Sequence, residues 1–98
     1  MWTGTLQCDL LLGDVRSLKQ KRAVVRPLVA ELRRRFDVAS AETGHLDLLR
    51  RAEVGVALVA VDPAHCTDVL DAVERFVAER VETDLLDTRR ALHGPHDD

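Results

Sequence analysis

The run RSLKQKRAVVRPLVAELRRRF, residues 16–36, superimposes an apolar period on a basic one. Leu18, Val25, Leu28, Val29 and Leu32 recur at helical spacing and are expected to face a core. Lys19, Arg22, Arg26 and Arg33 follow at intervals of three, four and seven, which lines them up on the outer face of the same helix. Ser17 suits the N-cap, and Gln20 completes a capping box. Arg33, Arg34 and Arg35 complement the negative end of the helix dipole. Pro27 removes one backbone hydrogen bond, a defect worth about 3 kcal/mol inside a helix. The apolar stripe stays in phase across it, which predicts a kink rather than a break.

Working outward, residues 2–11 alternate. Leu6, Cys8 and Leu10 share one phase, and Thr3, Thr5, Gln7 and Asp9 the other, as in a strand buried on one face. Leu12 to Arg16 is the turn into the helix. Beyond the helix, Phe36 to Glu42 reads as a second strand, with Phe36 and Val38 in phase, and Thr43 to Arg50 as a connection. Ala52 to Val61 is apolar in both phases, so a third strand covered on both faces is expected. Asp62-Pro63 places an N-cap carboxylate before a first-position proline. Val69, Val73, Phe76, Val77 and Val81 then supply the inward stripe of a helix ending near Val81. Glu82 to Leu92 reads as the fourth strand, with Leu86, Thr88, Arg90 and Leu92 in phase. Residues 93–98 read as a loose polar tail.

The order β-α-β-β-α-β with right-handed crossovers predicts one α+β domain over residues 1–92. It is a ferredoxin-like sandwich, a four-stranded antiparallel sheet with both helices on one face.

Composition narrows the class. The chain has 98 residues, 46% hydrophobic and 32% charged, as in a globular protein with one modest core. No apolar run spans a bilayer, and MWTGTLQCDL lacks the basic and apolar regions of a signal peptide. Cys8 and Cys66 are too few for a disulfide framework. A cytoplasmic protein without a membrane partner is the expectation.

Charge is unevenly placed. Residues 16–35 carry eight of the fourteen Lys and Arg against a single acid, although the whole chain is net −3. Residues 62–98 hold ten acids and four Arg. A basic face on an acidic molecule suits an anionic partner or self-association; the alternative is a solvated helix face.

Three blocks give the chain a family likeness: Ser17 to Arg22 (SLKQKR) followed by Val25, Leu28, Leu32, Arg33 and Phe36; Ala41-Glu42 followed by Asp47-Leu48 and Arg51-Ala52; and Val54-Gly55-Val56-Ala57. With these it resembles the YlxP-like family of small bacterial proteins, domain of unknown function 503. The resemblance implies a ferredoxin-like fold and genes that often lie beside those of translation initiation factor two and a ribosome-binding factor. Gly44, Leu49 and Arg50 stand where the family commonly has an acid, an aromatic and a glutamine.

Three sets of residues are candidates for function. Arg16, Ser17, Lys19, Lys21, Arg22, Arg26 and Arg33 form a candidate RNA- or anion-binding set. The basic row can follow phosphates, and the helix start offers free N–H groups. The partner so implied is ribosomal RNA or a ribosomal subunit. Base stacking on the sheet, as in RNA-recognition motifs, is not expected from one Trp and two Phe. Glu42, His45, Asp47 and Arg51 could form a ligand or acid–base site in the loop, or Arg51 could pair with Glu42 or Asp47 and pin it. Gly55, Ala57 and Val59 offer small apolar side chains on an open sheet face, where a homodimer is expected. No P-loop, GxGxxG, CxxC or HExxH is present, and no cofactor, metal or reaction is assigned. Cys8, in phase with Leu6 and Leu10, is expected to be an inert buried thiol.

Overall fold

The computed structural model describes residues 1–96. Its elements run β1 (Trp2–Leu12), α1 (Leu18–Phe36), β2 (Ala39–Gly44), β3 (Arg51–Ala60), α2 (Pro63–Ala78) and β4 (Thr83–His93). The strands form one sheet in the order β2-β3-β1-β4, every neighbour antiparallel. This is the ferredoxin-like arrangement.

The alternation in β1 does what period two dictates. Leu6, Cys8, Leu10 and Leu12 are buried on one face, beside Ala52, Val54 and Val56 of β3. Both helices cover that face. Val25, Leu28, Val29 and Leu32 come from α1 and Leu70, Val73 and Val77 from α2. Gly4 suits the crossing: a Cβ would lie 3.2 Å from Leu70 Cδ1 and 3.3 Å from Cys66 Cβ, so α2 crosses β1 at close range.

Helix α1 starts as its caps dictate. Ser17 Oγ accepts from Gln20 N–H at 3.1 Å, and Gln20 Oε1 accepts from Arg16 N–H at 2.7 Å. The helix runs unbroken through Pro27. Ala23 and Pro27 are both exposed, so the carbonyl that loses its donor sits on the solvent side. The helix ends on Asp37 at φ 55°, a left-handed cap that a short polar side chain tolerates. Helix α2 starts on Asp62, whose Oδ1 accepts from His65 N–H at 2.8 Å.

Five details differ from the pattern-based expectation. Phe36 belongs to the last turn of α1, not to a strand, and meets Phe76 edge-on with ring centroids 5.5 Å apart. Leu18, at the first helical position, is 44% exposed, beyond the reach of the core. Helix α2 stops at Ala78 and leaves Val81 fully exposed; its deepest stripe is Cys66, Leu70, Val73 and Val77. The face of β3 carrying Gly55, Ala57 and Val59 is open in the single chain, with Val59 63% exposed. In β4 a bulge shifts the register between Asp9 and Leu10 of β1, so Leu85, not Leu86, joins Leu10 at the core. Past the bulge Thr88, Arg90 and Leu92 share the helix side, opposite Cys8, Leu6 and Gly4.

Arg90 therefore lies on the side of β4 that faces α2. Its guanidinium reaches Asp71 at 2.7 Å and Glu74 at 3.4 Å on α2. Of the expected tail, His93 completes β4 and Gly94 lies against Trp2, where a Cβ would meet Trp2 Cη2 at 2.6 Å. Asp97 and Asp98 lie outside the described residues.

Candidate functional site

Helix α1 sorts its cations by face. Lys19, Arg22 and Arg26 project from the outer side, where they border a shallow groove of about 400 Å³ floored by Ala23 and Pro27. Together with Arg34 they have no ion-pair partner among the described residues. Small side chains between long basic ones let a surface approach the helix while the cations reach past it. Arg33 is exposed too, but its Nε donates to Ser40 O at 2.9 Å. That bond ties the end of α1 to β2 and leaves the charge in solvent.

Elsewhere most of the basic groups are engaged, Arg75 and Arg89 being exposed without an ion pair among the described residues. Arg35 lies over the Phe76 ring at 5.0 Å and faces Glu31 at 3.9 Å. Arg80 reaches Glu31 at 3.0 Å and Glu82 at 3.5 Å. Arg16 pairs with Asp14 at 3.2 Å in full solvent, where such a pair holds neither side chain firmly. The free N–H groups expected at the helix start are partly spoken for, since the Ser17 and Gln20 side chains take those of Gln20 and Arg16.

Lys21 overturns its assignment as a phosphate contact. It is 2% exposed, and Nζ donates to His45 O and Leu48 O at 2.7 Å each and faces Glu42 Oε2 at 2.9 Å. Two of the ammonium's three donors go to carbonyls, and its charge is met by the Glu42 carboxylate as an ion pair. Lys21 holds the β2–β3 loop from below. The signal was in the sequence: Leu18, Lys21, Val25, Leu28 and Leu32 follow the spacing of the buried stripe, not of the basic row.

The loop set Glu42, His45, Asp47 and Arg51 does not converge. Glu42 turns to the helix side and meets Lys21. Asp47 is exposed and makes no ion pair among the described residues. His45 and Arg51 instead meet Asp9 of β1, a residue the pattern marked only as solvent-facing. His45 Nε2 lies 3.3 Å from Asp9 Oδ1, and Arg51 Nη2 donates to Asp9 Oδ2. Asp9 sits directly between Glu53 of β3 and Asp87 of β4, so three carboxylates stand in a row across the open face. Like charges directly opposite repel, and Arg51 and His45 offset this. The Arg51 hydrogen bond holds the Asp9 carboxyl below the usual carboxylate range, against the opposing pull of burial. His45 adopts φ 57°, an uncommon value for a side chain other than glycine.

The open face has a second feature. Ala39, Ala41, Gly55 and Ala57 leave a trough of about 450 Å³ rimmed by Thr5, Gln7 and Thr43. Gly55 is needed where Thr43 leans over it, because a Cβ would stand 2.8 Å from Thr43 Cγ2. The thiols offer little reactivity. Both cysteines are fully buried, and burial pushes Cys8 up to about 12. Among the described residues no group of three or more His, Cys, Asp or Glu is placed to hold a metal ion.

Fold and site together define a class: a ferredoxin-like sandwich whose uncompensated positive charge is concentrated on one helix. The chain belongs to the family described as "Protein of unknown function (DUF503)", which matches residues 3–90. A relative from Bacillus subtilis (strain 168), "Uncharacterized protein YlxP", is 29% identical over 86 residues, covering 88% of this chain and 94% of that protein. Among the described residues no helix is long and apolar enough to cross a membrane.

Proposed function

We propose that this protein is a cytoplasmic, non-enzymatic accessory factor of translation that binds structured RNA, on the ribosome or one of its subunits, through the outer face of α1. One observation carries the reading. Lys19, Arg22, Arg26 and Arg34 stand exposed and unpaired, while Lys21, Arg35, Arg51, Arg80 and Arg90 are bound to carboxylates of the same molecule. Among the described residues Arg50, Arg75 and Arg89 also lack a carboxylate partner, but they stand apart from one another, whereas the cations of α1 form a row on one helix face. The row meets phosphates and displaces their counterions, which makes binding salt-sensitive. The ridge is a row of long cations on a convex helix face, the form that suits contact with a phosphate backbone. The family's gene neighbourhood, as the resemblance implies it, supplies the translational context.

Replacing Lys19, Arg22 and Arg26 together with Glu is expected to abolish co-sedimentation with ribosomal subunits and leave the thermal melt in place. Undiminished co-sedimentation rejects the reading.

A second reading rests on a hollow of about 100 Å³ lined by Gln7, Asp9, His45, Glu53, Asp87 and Arg89. Its polar lining suits a small cationic ligand. Stabilisation by an amine or guanidinium compound, lost in Asp9→Asn, would favour it over RNA binding.

A further inference from the structure

We propose that the open face of the sheet seats a second copy of this chain, docked about a two-fold axis that passes close to Ala57. The inference does not depend on RNA binding.

The face is built in two halves. At one end lie Asp9, Glu53 and Asp87 in a row with Arg51. At the other, Ala57 is flanked by Thr5 and Ala39, and Val59 stands beyond it, 63% exposed. Between the halves is the trough over Gly55 and Ala41, which are register partners.

A two-fold contact needs one patch that complements itself, with residue i on j and j on i. This patch has both parts of such a pair on one strand. Side chains on one face recur every second residue, so Gly55, Ala57 and Val59 are evenly spaced along β3. An axis lying in the plane between the two sheets and running across the strands at Ala57 sets Val59 of each copy over the Gly55–Ala41 trough of the other. The knob and the hole are then each used twice.

Charge fixes the orientation and the occupant. Two copies stacked head to head would press one carboxylate row onto the other. The two-fold sends the rows to opposite ends of the pair, where they stay in water as a polar rim. The same carboxylates repel a nucleic acid, and the face offers no aromatic side chain in its centre for base stacking.

The area is limited. About six residues along each of four strands give roughly 400 Å² of sheet per copy, and with side-chain relief roughly 1,000 Å² in the pair, the lower edge of specific interfaces. Association that depends on micromolar concentration follows. The helices lie on the far side of each sheet, so the pair presents its two basic ridges outward, away from one another.

Sedimentation velocity over a micromolar to high-micromolar series tests this. The native chain is expected to shift from monomer to dimer, and Ala57→Arg, at a half-buried position of the open face, and Val59→Asp, at an exposed one, to remain monomeric with unchanged circular dichroism. Ala57→Cys is expected to give a covalent dimer with a short bis-maleimide and Asp87→Cys to give none, because the native Cys8 and Cys66 are fully buried and silent. A native chain that stays monomeric at high micromolar concentration overturns the proposal. So does a dimer indifferent to both substitutions, or one that cross-links better through position 87 than through 57.

Discussion

Lys19 and Lys21 stand two residues apart on one helix and meet opposite surroundings. Lys19 is in water without a carboxylate; Lys21 is enclosed, with two carbonyls and Glu42 around its ammonium. A turn of about 100° per residue places them on different sides of α1. The contrast teaches that local basic density overstates what a partner can meet. The outer face of α1 offers charge outward, whereas its loop-facing side spends charge on the fold.

The largest expected effect falls on the enclosed side. Lys21→Met keeps the apolar stem and removes the three donors. It strands Glu42 and two loop carbonyls, which is expected to cost about 3 kcal/mol of unfolding free energy. Denaturant titration reads this directly. Adding Glu42→Gln to Lys21→Met removes the stranded charge and is expected to return part of the loss. If Lys21→Met costs no more than Lys19→Met, the two lysines do not differ in the way described.

A smaller effect, with a diagnostic sign, is expected at the carboxylate row. The Asp9 carboxyl is held low in the folded chain, mainly by Arg51. A depressed folded-state value means a contribution to stability that is present above the unfolded-state value, about 3.9, and is lost as pH falls through the folded one. Acidification below pH 4 is therefore expected to weaken the native chain at this site. Arg51→Met removes the main cause of that depression, so the variant is expected to lose less stability than the native chain as pH falls below 4. Parallel pH–stability curves for the two chains would settle the role of Arg51; curves that simply run side by side would remove it.

Most of the architecture was legible because it rests on short-range rules. Period two in β1, the Ser17 and Asp62 caps and the helical stripes in α1 and α2 name the elements, and the chirality of the crossovers then leaves few ways to stack them. What escaped depended on partners distant in sequence. The bulge opposite Asp9 moves the core position from Leu86 to Leu85, and nothing local to β4 announces it. Val81 matched a helical period that had already ended. Arg51 could be seen to want a carboxylate, but its choice of Asp9 over Glu42 and Asp47 is decided by the pairing of β1 with β3. Lys21 is the different case, since its spacing placed it in the buried stripe and only its charge argued otherwise.

The smallest effect on stability is expected on the outer ridge, and there the binding measurement is most informative. Single changes Lys19→Gln, Arg22→Gln, Arg26→Gln and Arg34→Gln break no ion pair among the described residues and should move unfolding free energy by about 0.5 kcal/mol or less. Binding to a duplex RNA should respond differently. If all four cations meet phosphates, the logarithm of the affinity falls with the logarithm of salt at a slope of roughly −3 to −4, and each replacement reduces that slope by about one. Changing the base sequence should leave it alone, because a phosphate contact carries no sequence information. Arg89→Gln, on the opposite side of the sheet, is the control and should leave the slope unchanged. A slope that answers to Arg89 and not to Arg22 would move the polyanion from the helix to the open face, and would set RNA in competition with the second copy for the same surface.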